Sequence, residues 1–122
     1  MRVTSEPLSK ERHTITEIGT AAFDTCGLRT LVLSSGVRYI QQDAIIMCEQ
    51  LETIVLPEGM ESLENASIIQ CPNLKRVVIP ASVTYIHDDN VYECGDAAVV
   101  TPWDSYAWKW ATGWGIPVQE PD

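Results

Sequence analysis

Four cysteines recur at a nearly constant interval, and this repetition constrains the fold more than any other feature of the chain. Cys26, Cys48, Cys71 and Cys94 stand 22, 23 and 23 residues apart. Aliphatic columns keep the same period: Ile15, Val37, Met60 and Val83; Ile18, Ile40, Leu63 and Ile86; Leu28, Leu51, Leu74 and Ala97; Leu31, Ile54, Val77 and Val100; Leu33, Leu56 and Ile79. A unit of about 23 residues cannot bury its own apolar face, so successive units stack and share a core. The period therefore predicts a solenoid.

Each unit is expected to hold two extended segments and a turn. Residues 74–80 alternate in the manner of a strand, which ends at Pro80 because proline has no N–H for the ladder. A shorter extended segment around Val83 follows, and a compact turn then carries Val91 and Cys94. Equivalent strands of neighbouring units are expected to lie parallel, ~4.8 Å apart.

These columns resemble the BspA-type leucine-rich repeat, in which L-x-x-I-x-I-P-x-x-V-x-x-I precedes A-F-x-x-C. Residues 51–63 and 74–86 follow the first part, and Ala22-Phe23-x-x-Cys26 matches the second part in full. The later units replace Ala-Phe with other pairs: Ala44-Ile45, Ser67-Ile68 and Asn90-Val91. The resemblance covers about residues 15–118. It implies an α/β-type repeat solenoid of about four leucine-rich-repeat turns with a parallel β-sheet.

A capping helix is predicted near the end of the chain, where residues 105–117 resemble the tail G-S-x-A-x-x-Y-A-x-x-x-G-I that closes many such arrays. Asp104 or Ser105 offers an N-cap oxygen, Gly115 suits a left-handed C-cap, and Pro117 prevents continuation. The i, i+4 spacing predicts a buried face made of Tyr106, Trp110 and Trp114.

The tryptophans are confined to this region: Trp103, Trp108, Trp110 and Trp114. In one interpretation they cover the open end of the core. In the other they form an aromatic platform for a sugar, with Trp108 as the ring expected to be most exposed. Tyr39 and Tyr85, which share one column of the repeat, would contribute to the second role.

The N-terminal edge of the array is expected to be open. Counting back one period from the first strand gives Glu6, Ser9 and Glu11, which are not strand-core residues. An uncovered edge is a pairing template. Either residues 1–14 form a head or irregular cap, or another copy covers the edge, or the chain belongs to a longer array. We predict self-association through this edge, with the array spanning 15–101 and the C-terminal cap and tail 102–122.

Charge and hydropathy exclude two classes of partner. Acidic residues outnumber basic ones 17 to 8, giving a net charge of −9, which argues against nucleic acid. No apolar run approaches the ~18–20 residues of a membrane span, so no membrane insertion is predicted. Residues 1–7 lack the apolar segment of a signal peptide, whereas the resemblance implies a secreted or cell-surface protein. The localisation therefore stays open.

No catalytic or cofactor-binding constellation can be recognised in the sequence. Stacked cysteines suit buried thiols better than a tetrahedral zinc site. Their Cβ atoms are expected to lie too far apart for disulfides, with side chains that point the same way. His13 and His87 have no partners at catalytic spacing, and the acidic residues 88–96 lack the regular spacing of a calcium loop. We therefore predict no enzyme activity, no metal and no cofactor.

The repeat also indicates which side chains point outward. A partner-binding strip is predicted from three outward columns of the main sheet: Arg29, Glu52 and Lys75; Thr30, Thr53 and Arg76; Val32, Val55 and Val78. Solenoids commonly bind partners along such surfaces, although β-branched residues also suit exposed strands for conformational reasons alone. A second apolar stripe, Ile46, Ile69 and Tyr92, either marks an interface or is buried by local repacking.

The function predicted from these observations is a non-catalytic protein–protein interaction module of BspA-like leucine-rich-repeat type. The resemblance implies a role in adhesion, while the identity of the protein partner is left unknown. Two alternatives stay open, which are a carbohydrate-binding surface and a structural or oligomerisation unit.

Overall fold

The structure, a computed structural model, describes residues 2–4 and 17–121. Within these residues the chain winds as a solenoid whose turns contribute short parallel strands to three sheets. The elements in chain order are β1 (Arg2–Thr4), β2 (Glu17–Ile18), β3 (Phe23–Asp24), β4 (Thr30–Val32), β5 (Tyr39–Ile40), β6 (Ile45–Ile46), β7 (Thr53–Val55), β8 (Ser62–Leu63), β9 (Ile68–Ile69), β10 (Arg76–Val78), β11 (Tyr85–Ile86), β12 (Ala98–Val100), α1 (Tyr106–Gly113) and β13 (Val118–Gln119).

The three sheets run along the solenoid side by side. The main sheet has the order β1-β4-β7-β10-β12-β13, the second sheet has the order β2-β5-β8-β11, and the third sheet has the order β3-β6-β9. All pairs are parallel, and equivalent residues of successive turns stand opposite one another, as in Leu31↔Ile54 and Ile54↔Val77. The predicted parallel repeat solenoid is thereby confirmed.

One continuous core fills the space between the sheets. The aliphatic columns of the period are buried wherever the structure describes them, including Leu31, Ile54 and Val77 of the main sheet and Ile40 and Leu63 of the second sheet. Each fully buried aliphatic side chain of this size contributes roughly 1.5–3 kcal/mol through burial. Since each turn packs on its neighbours, the array is stabilised mainly by contacts between turns.

The last strand of the array differs from the prediction by one residue. Val99, and not Val100, stands opposite Val77 in the main sheet, so Val99 is the inward residue. The last turn is one residue shorter between Cys94 and the strand than the turn that begins at Cys71. Because strand side chains alternate, this single-residue difference exchanges the inward and outward faces of β12.

The segment predicted as a compact turn forms the third sheet. Each of its strands lies between two non-glycine residues of left-handed conformation, and for β6 these are Asp43 with φ 56° and Met47 with φ 54°. Such residues are costly in isolation. Hydrogen bonds between successive turns compensate for this cost. The N–H of Asp43 donates to the carbonyl of Ala66 at 3.0 Å, and the N–H of Met47 donates to the carbonyl of Ile69 at 3.3 Å.

The helix α1 closes the C-terminal end of the core. Its N-cap is Ser105, whose hydroxyl accepts the N–H of Trp108 at 3.1 Å. Gly115 adopts φ 74°, as predicted for the residue that follows the helix. The N–H of Gly115 donates to Thr112 and that of Ile116 donates to Ala111, at 3.2 Å and 2.9 Å, which is the Schellman arrangement.

The buried face of α1 differs from the predicted one. Ala107, Trp110 and Ala111 are buried, whereas Tyr106 and Trp114 are exposed. The small alanines allow the helix to approach the core closely. Of the three aromatic residues predicted to form the buried face, only Trp110 is buried. After Pro117 the chain adds β13 to the main sheet, an element that the sequence did not predict.

The main sheet has a further strand before β4, which corrects the expectation that the first repeat has no preceding strand. β1 pairs in parallel with β4, and Arg2 stands opposite Thr30. Counting back a single period missed this strand because β1 lies 28 residues before β4, about five more than one period. The residues obtained by that count, Glu6, Ser9 and Glu11, lie outside the described residues, as does Ile15. In the described part no helix is long and apolar enough to cross a membrane.

Candidate interaction surfaces

The main sheet aligns six of the nine predicted strip residues on its outer face, and the other three, Arg29, Glu52 and Lys75, directly precede its strands. Its register aligns Thr30, Thr53 and Arg76 in one row and Val32, Val55 and Val78 in the next. The three valines are half-buried, and Arg76 is exposed. Because neighbouring strands lie ~4.8 Å apart, the valine row forms a short continuous apolar surface. We call these nine residues the main-sheet strip.

Three charged residues of the main-sheet strip form an ion-paired triad. Glu52 lies between two cations, with its carboxylate 3.5 Å from the Arg29 guanidinium and 3.6 Å from the Lys75 ammonium. Backbone hydrogen bonds align the three residues. The N–H of Glu52 donates to the carbonyl of Arg29, and the N–H of Lys75 donates to the carbonyl of Glu52, both at 2.8 Å. Such exposed pairs contribute only ~0–1 kcal/mol to stability. The two cations outnumber the one carboxylate, so the triad is positively charged in a chain of net charge −9.

The accessible part of the outer face of the main sheet ends before β12. The outward residues of that strand, Ala98 and Val100, are only 7% and 1% exposed. In contrast, the outward residues of β4 and β7 are half-buried. The accessible apolar row therefore extends over three strands. A shallow pocket of about 400 Å³ adjoins it beside Arg29, Glu52 and Lys75.

The second apolar stripe lies on the third sheet. Ile46 and Ile69 are half-buried neighbours in register, and Tyr92 continues the row through a parallel bridge to Ile69. The inward neighbours Ile45 and Ile68 are fully buried. The inward isoleucines therefore fill the core in place of phenylalanine, while the stripe keeps part of its surface accessible.

These surfaces belong to an array whose family is shown by comparison. A family model for the BspA type leucine rich repeat region matches residues 9–102 in six copies. The chain belongs to this family. A search of curated proteins and a search of solved structures each found no match. The BspA-type leucine-rich repeat suggests a repeat module for protein interaction, on a fold that is typically non-catalytic.

The cysteine column of this BspA-type array is a ladder of free thiols. Cys26, Cys48, Cys71 and Cys94 are all unpaired by disulfides, and all but Cys26 are buried. The Sγ atoms of Cys26 and Cys48 lie 2.8 Å apart. Thiols in this ladder donate to one another and to backbone carbonyls, as Cys48 does to Phe23 at 2.9 Å.

This environment makes most of the thiols poor nucleophiles. Burial and the Cys48 thiol raise the pKa of Cys26 to about 11. The Cys48 thiol lowers the pKa of Cys71, but Cys94 and burial outweigh it and bring that pKa to about 11. A hydrogen bond from Cys71 lowers the pKa of Cys94. A raised pKa keeps a thiol protonated and unreactive at neutral pH. Among the described residues, no group of three or more histidine, cysteine or acidic side chains could hold a metal ion.

The aromatic residues near the C-terminal cap are arranged differently from the prediction. Trp103 and Trp114 are the exposed tryptophans, at 67% and 57%, whereas Trp108 is half-buried. Trp108 directly follows the buried Ala107, so it lies at the border of the helix face that meets the core. Tyr39 and Tyr85 do project from the second sheet and are exposed.

A cleft that the sequence did not predict joins the last turn to the segment after α1. It is lined from the turn by Asp88, Asp89, Tyr92 and Glu93, and from the cap by Trp114. The sequence signal at this place is the acidic run of residues 88–96, which lacks the regular spacing of a calcium loop. The approach of Trp114 to that run depends on how the cap folds back.

Proposed function

We propose that this chain is a non-catalytic module that binds a protein partner through the main-sheet strip. The observation that carries the proposal is the aligned row Val32, Val55 and Val78, which leaves apolar surface accessible on three adjacent strands. Apolar surface in register on a solenoid face is typical of a protein contact.

The residues around the valine row give the strip its specificity. Arg76 is exposed and makes no ion pair within the described residues, so its guanidinium is available to a partner carboxylate. Arg29 and Lys75 already share Glu52, so part of their charge is compensated within the chain. A partner segment that presents apolar side chains beside an acidic one fits this arrangement best. Adhesion, which the family resemblance implies, is one use of such a contact.

The test begins by identifying the partner through a photo-crosslinking amino acid placed at Thr53, in the middle of the main-sheet strip. The same amino acid at Thr84, on the exposed side of the second sheet, provides the matched control. A partner that crosslinks from Thr53 and not from Thr84 is then purified, and its affinity for the whole chain is measured by calorimetry.

The decisive variant replaces Val32, Val55 and Val78 with threonine together. Threonine keeps the β-branched shape and strand propensity but replaces one methyl group with a hydroxyl that must be desolvated in the contact. We expect the affinity to fall by roughly tenfold to a hundredfold, and Arg76→Gln to lower it separately. Unchanged affinity in the triple variant, with unchanged circular dichroism, would contradict the proposal.

A further inference from the structure

The cleft between the last turn and the C-terminal cap has a volume of about 240 Å³. Asp88, Asp89, Tyr92 and Glu93 line it from one side, and Trp114 lines it from the other. None of the main-sheet strip residues lines this cleft. It is therefore a second surface, and what it binds can be tested independently of the proposed function.

Two aromatic side chains at the cleft are exposed to solvent. Tyr92 is 59% exposed and Trp114 is 57% exposed. Exposed aromatic surface of this kind is typical of contact sites, because the rings forgo the stabilisation that a core would give. The face of an aromatic ring attracts a cation through its quadrupole, and tryptophan does so most strongly.

The charge around these rings is uniformly negative. Asp88, Asp89 and Glu93 are exposed, and none of the three forms an ion pair within residues 17–121. Lys109, a cation on the cap, is already paired with Asp104 at 3.5 Å. The stretch from Val77 to Trp108 contains five acidic residues and no lysine or arginine. The cleft thus combines cation-attracting rings with carboxylates whose charge is not neutralised locally.

Both sides of the cleft are held in place by hydrogen bonds. On the turn, the buried Asn90 side-chain amide donates to the carbonyls of Glu64 at 2.8 Å and His87 at 3.1 Å. On the cap, the N–H of Trp114 donates to the carbonyl of Ala111 at 3.1 Å. A site that is already ordered loses less conformational entropy when a ligand binds.

From this combination we infer that the cleft binds the cationic side chain of a lysine or arginine on a basic protein segment. The ammonium or guanidinium group contacts the faces of Tyr92 and Trp114, and the carboxylates of Asp88, Asp89 and Glu93 surround it. The charge complementarity favours this occupant over a neutral sugar, which would gain nothing from three unpaired carboxylates.

The test uses the whole chain and a short fluorescein-labelled glycine–serine peptide that carries several arginines. Its matched control replaces each arginine with citrulline, which has nearly the same shape and no charge. Binding is followed by fluorescence anisotropy at two salt concentrations. We expect the arginine peptide to bind and the citrulline peptide not to bind, with affinity falling as salt rises.

Two sets of variants then locate the site. Trp114→Ala is expected to weaken binding about twofold to thirtyfold, and the combined Asp88→Asn, Asp89→Asn and Glu93→Gln variant is expected to weaken it further and reduce its salt dependence. Trp103→Ala and Asp96→Asn, exposed residues outside the cleft lining, are the matched controls and should leave affinity unchanged. Circular dichroism and thermal melting verify the fold of each variant.

Several outcomes would overturn the inference. Equal binding of the citrulline peptide would exclude recognition of charge, and equal loss in the control variants would place the site elsewhere on the acidic surface. Absence of peptide binding, together with titration by a neutral oligosaccharide that is lost in Trp114→Ala, would assign the cleft to sugar. Loss of affinity in the triple valine variant alone would mean that the peptide binds the main-sheet strip.

Discussion

The side chain of Asn90 replaces a backbone carbonyl in the hydrogen-bond ladder of the third sheet by accepting the N–H of Ile68 at 3.0 Å. In the two preceding turns the equivalent N–H groups, those of Phe23 and Ile45, donate to the backbone carbonyls of Ala44 and Ser67. The last turn forms no strand at this position. The side-chain amide of Asn90 therefore ends the third sheet. Asn90 stands where the repeat pattern has the alanine of Ala-Phe, and this substitution has a structural role.

We predict that Asn90→Ala destabilises the array by about 2–4 kcal/mol. The amide oxygen also accepts the buried Ser67 hydroxyl at 2.8 Å, so the substitution leaves two buried donors without a partner. Each such donor costs about 1–3 kcal/mol. Urea unfolding followed by circular dichroism measures the difference.

The matched control for this prediction is Asn73→Ala. Asn73 is exposed, and its amide donates to the carbonyl of Glu49 at 2.7 Å, so its loss leaves only groups that water can satisfy. The expected change is at most about 0.5 kcal/mol. Equal destabilisation by both substitutions would show that Asn90 has no special role at the end of the third sheet.

A second prediction concerns thiol reactivity. Cys26 is the only partly exposed thiol among the four, and its pKa is raised from 9.0 to about 11. Because the thiolate is the reactive form, alkylation of the folded protein at pH 8 should be about a hundredfold slower than that of an unperturbed thiol. The rate should rise about tenfold per pH unit and level off above about pH 11.

Iodoacetamide labelling of the folded chain followed by mass spectrometry tests this. Cys26 should be modified first, while all four thiols should react at once in denaturant. Faster labelling of Cys48 than of Cys26 in the folded protein would contradict the described burial, and fewer than four thiols in denaturant would show that a disulfide exists.

The periodic part of this fold could be predicted because its physical basis is visible in the sequence. The columns that contain Leu31 and Ile40 are buried since each turn must bury the same face. The register of β12, in which Val99 and not Val100 points inward, could not be predicted, because both residues are valine and the pattern fits either register. The third sheet was not visible either, since nothing in Asp43 or Met47 as residue types indicates a left-handed conformation.

The two candidate sites also differ in how far the sequence predicts them. The main-sheet strip could be predicted as a set because it follows the repeat. The cleft could not, because Asp88 and Trp114 are far apart in sequence and meet only through the path of the cap. The pairing of β1 with β4 was missed for a related reason, since five extra residues remove β1 from the period.

We further predict that β1 suppresses association at the edge of β4. A chain without residues 1–4 exposes the unpaired groups of that edge, which are a template for pairing with another copy. Light scattering should show a mass that rises with concentration for the shortened chain, more steeply than for the whole chain. Equal masses at every concentration, with the fold retained, would show that β1 does not protect the edge.

The last prediction concerns two glycines at the end of α1 whose conformations differ. Gly115 has φ 74°, a left-handed conformation that costs other residues about 1–2 kcal/mol, whereas Gly113 is helical. At neither position would an added Cβ meet another atom within 4 Å, so sterics with neighbours do not enter. Gly115→Ala should therefore destabilise the protein by about 1 kcal/mol, and Gly113→Ala should stabilise it by about 0.5–1 kcal/mol. Thermal and urea unfolding of the two variants measures these opposite changes in stability. If both variants were stabilised or both destabilised, the cap would not end in the Schellman arrangement. The positions of Trp114 and β13 depend on that arrangement.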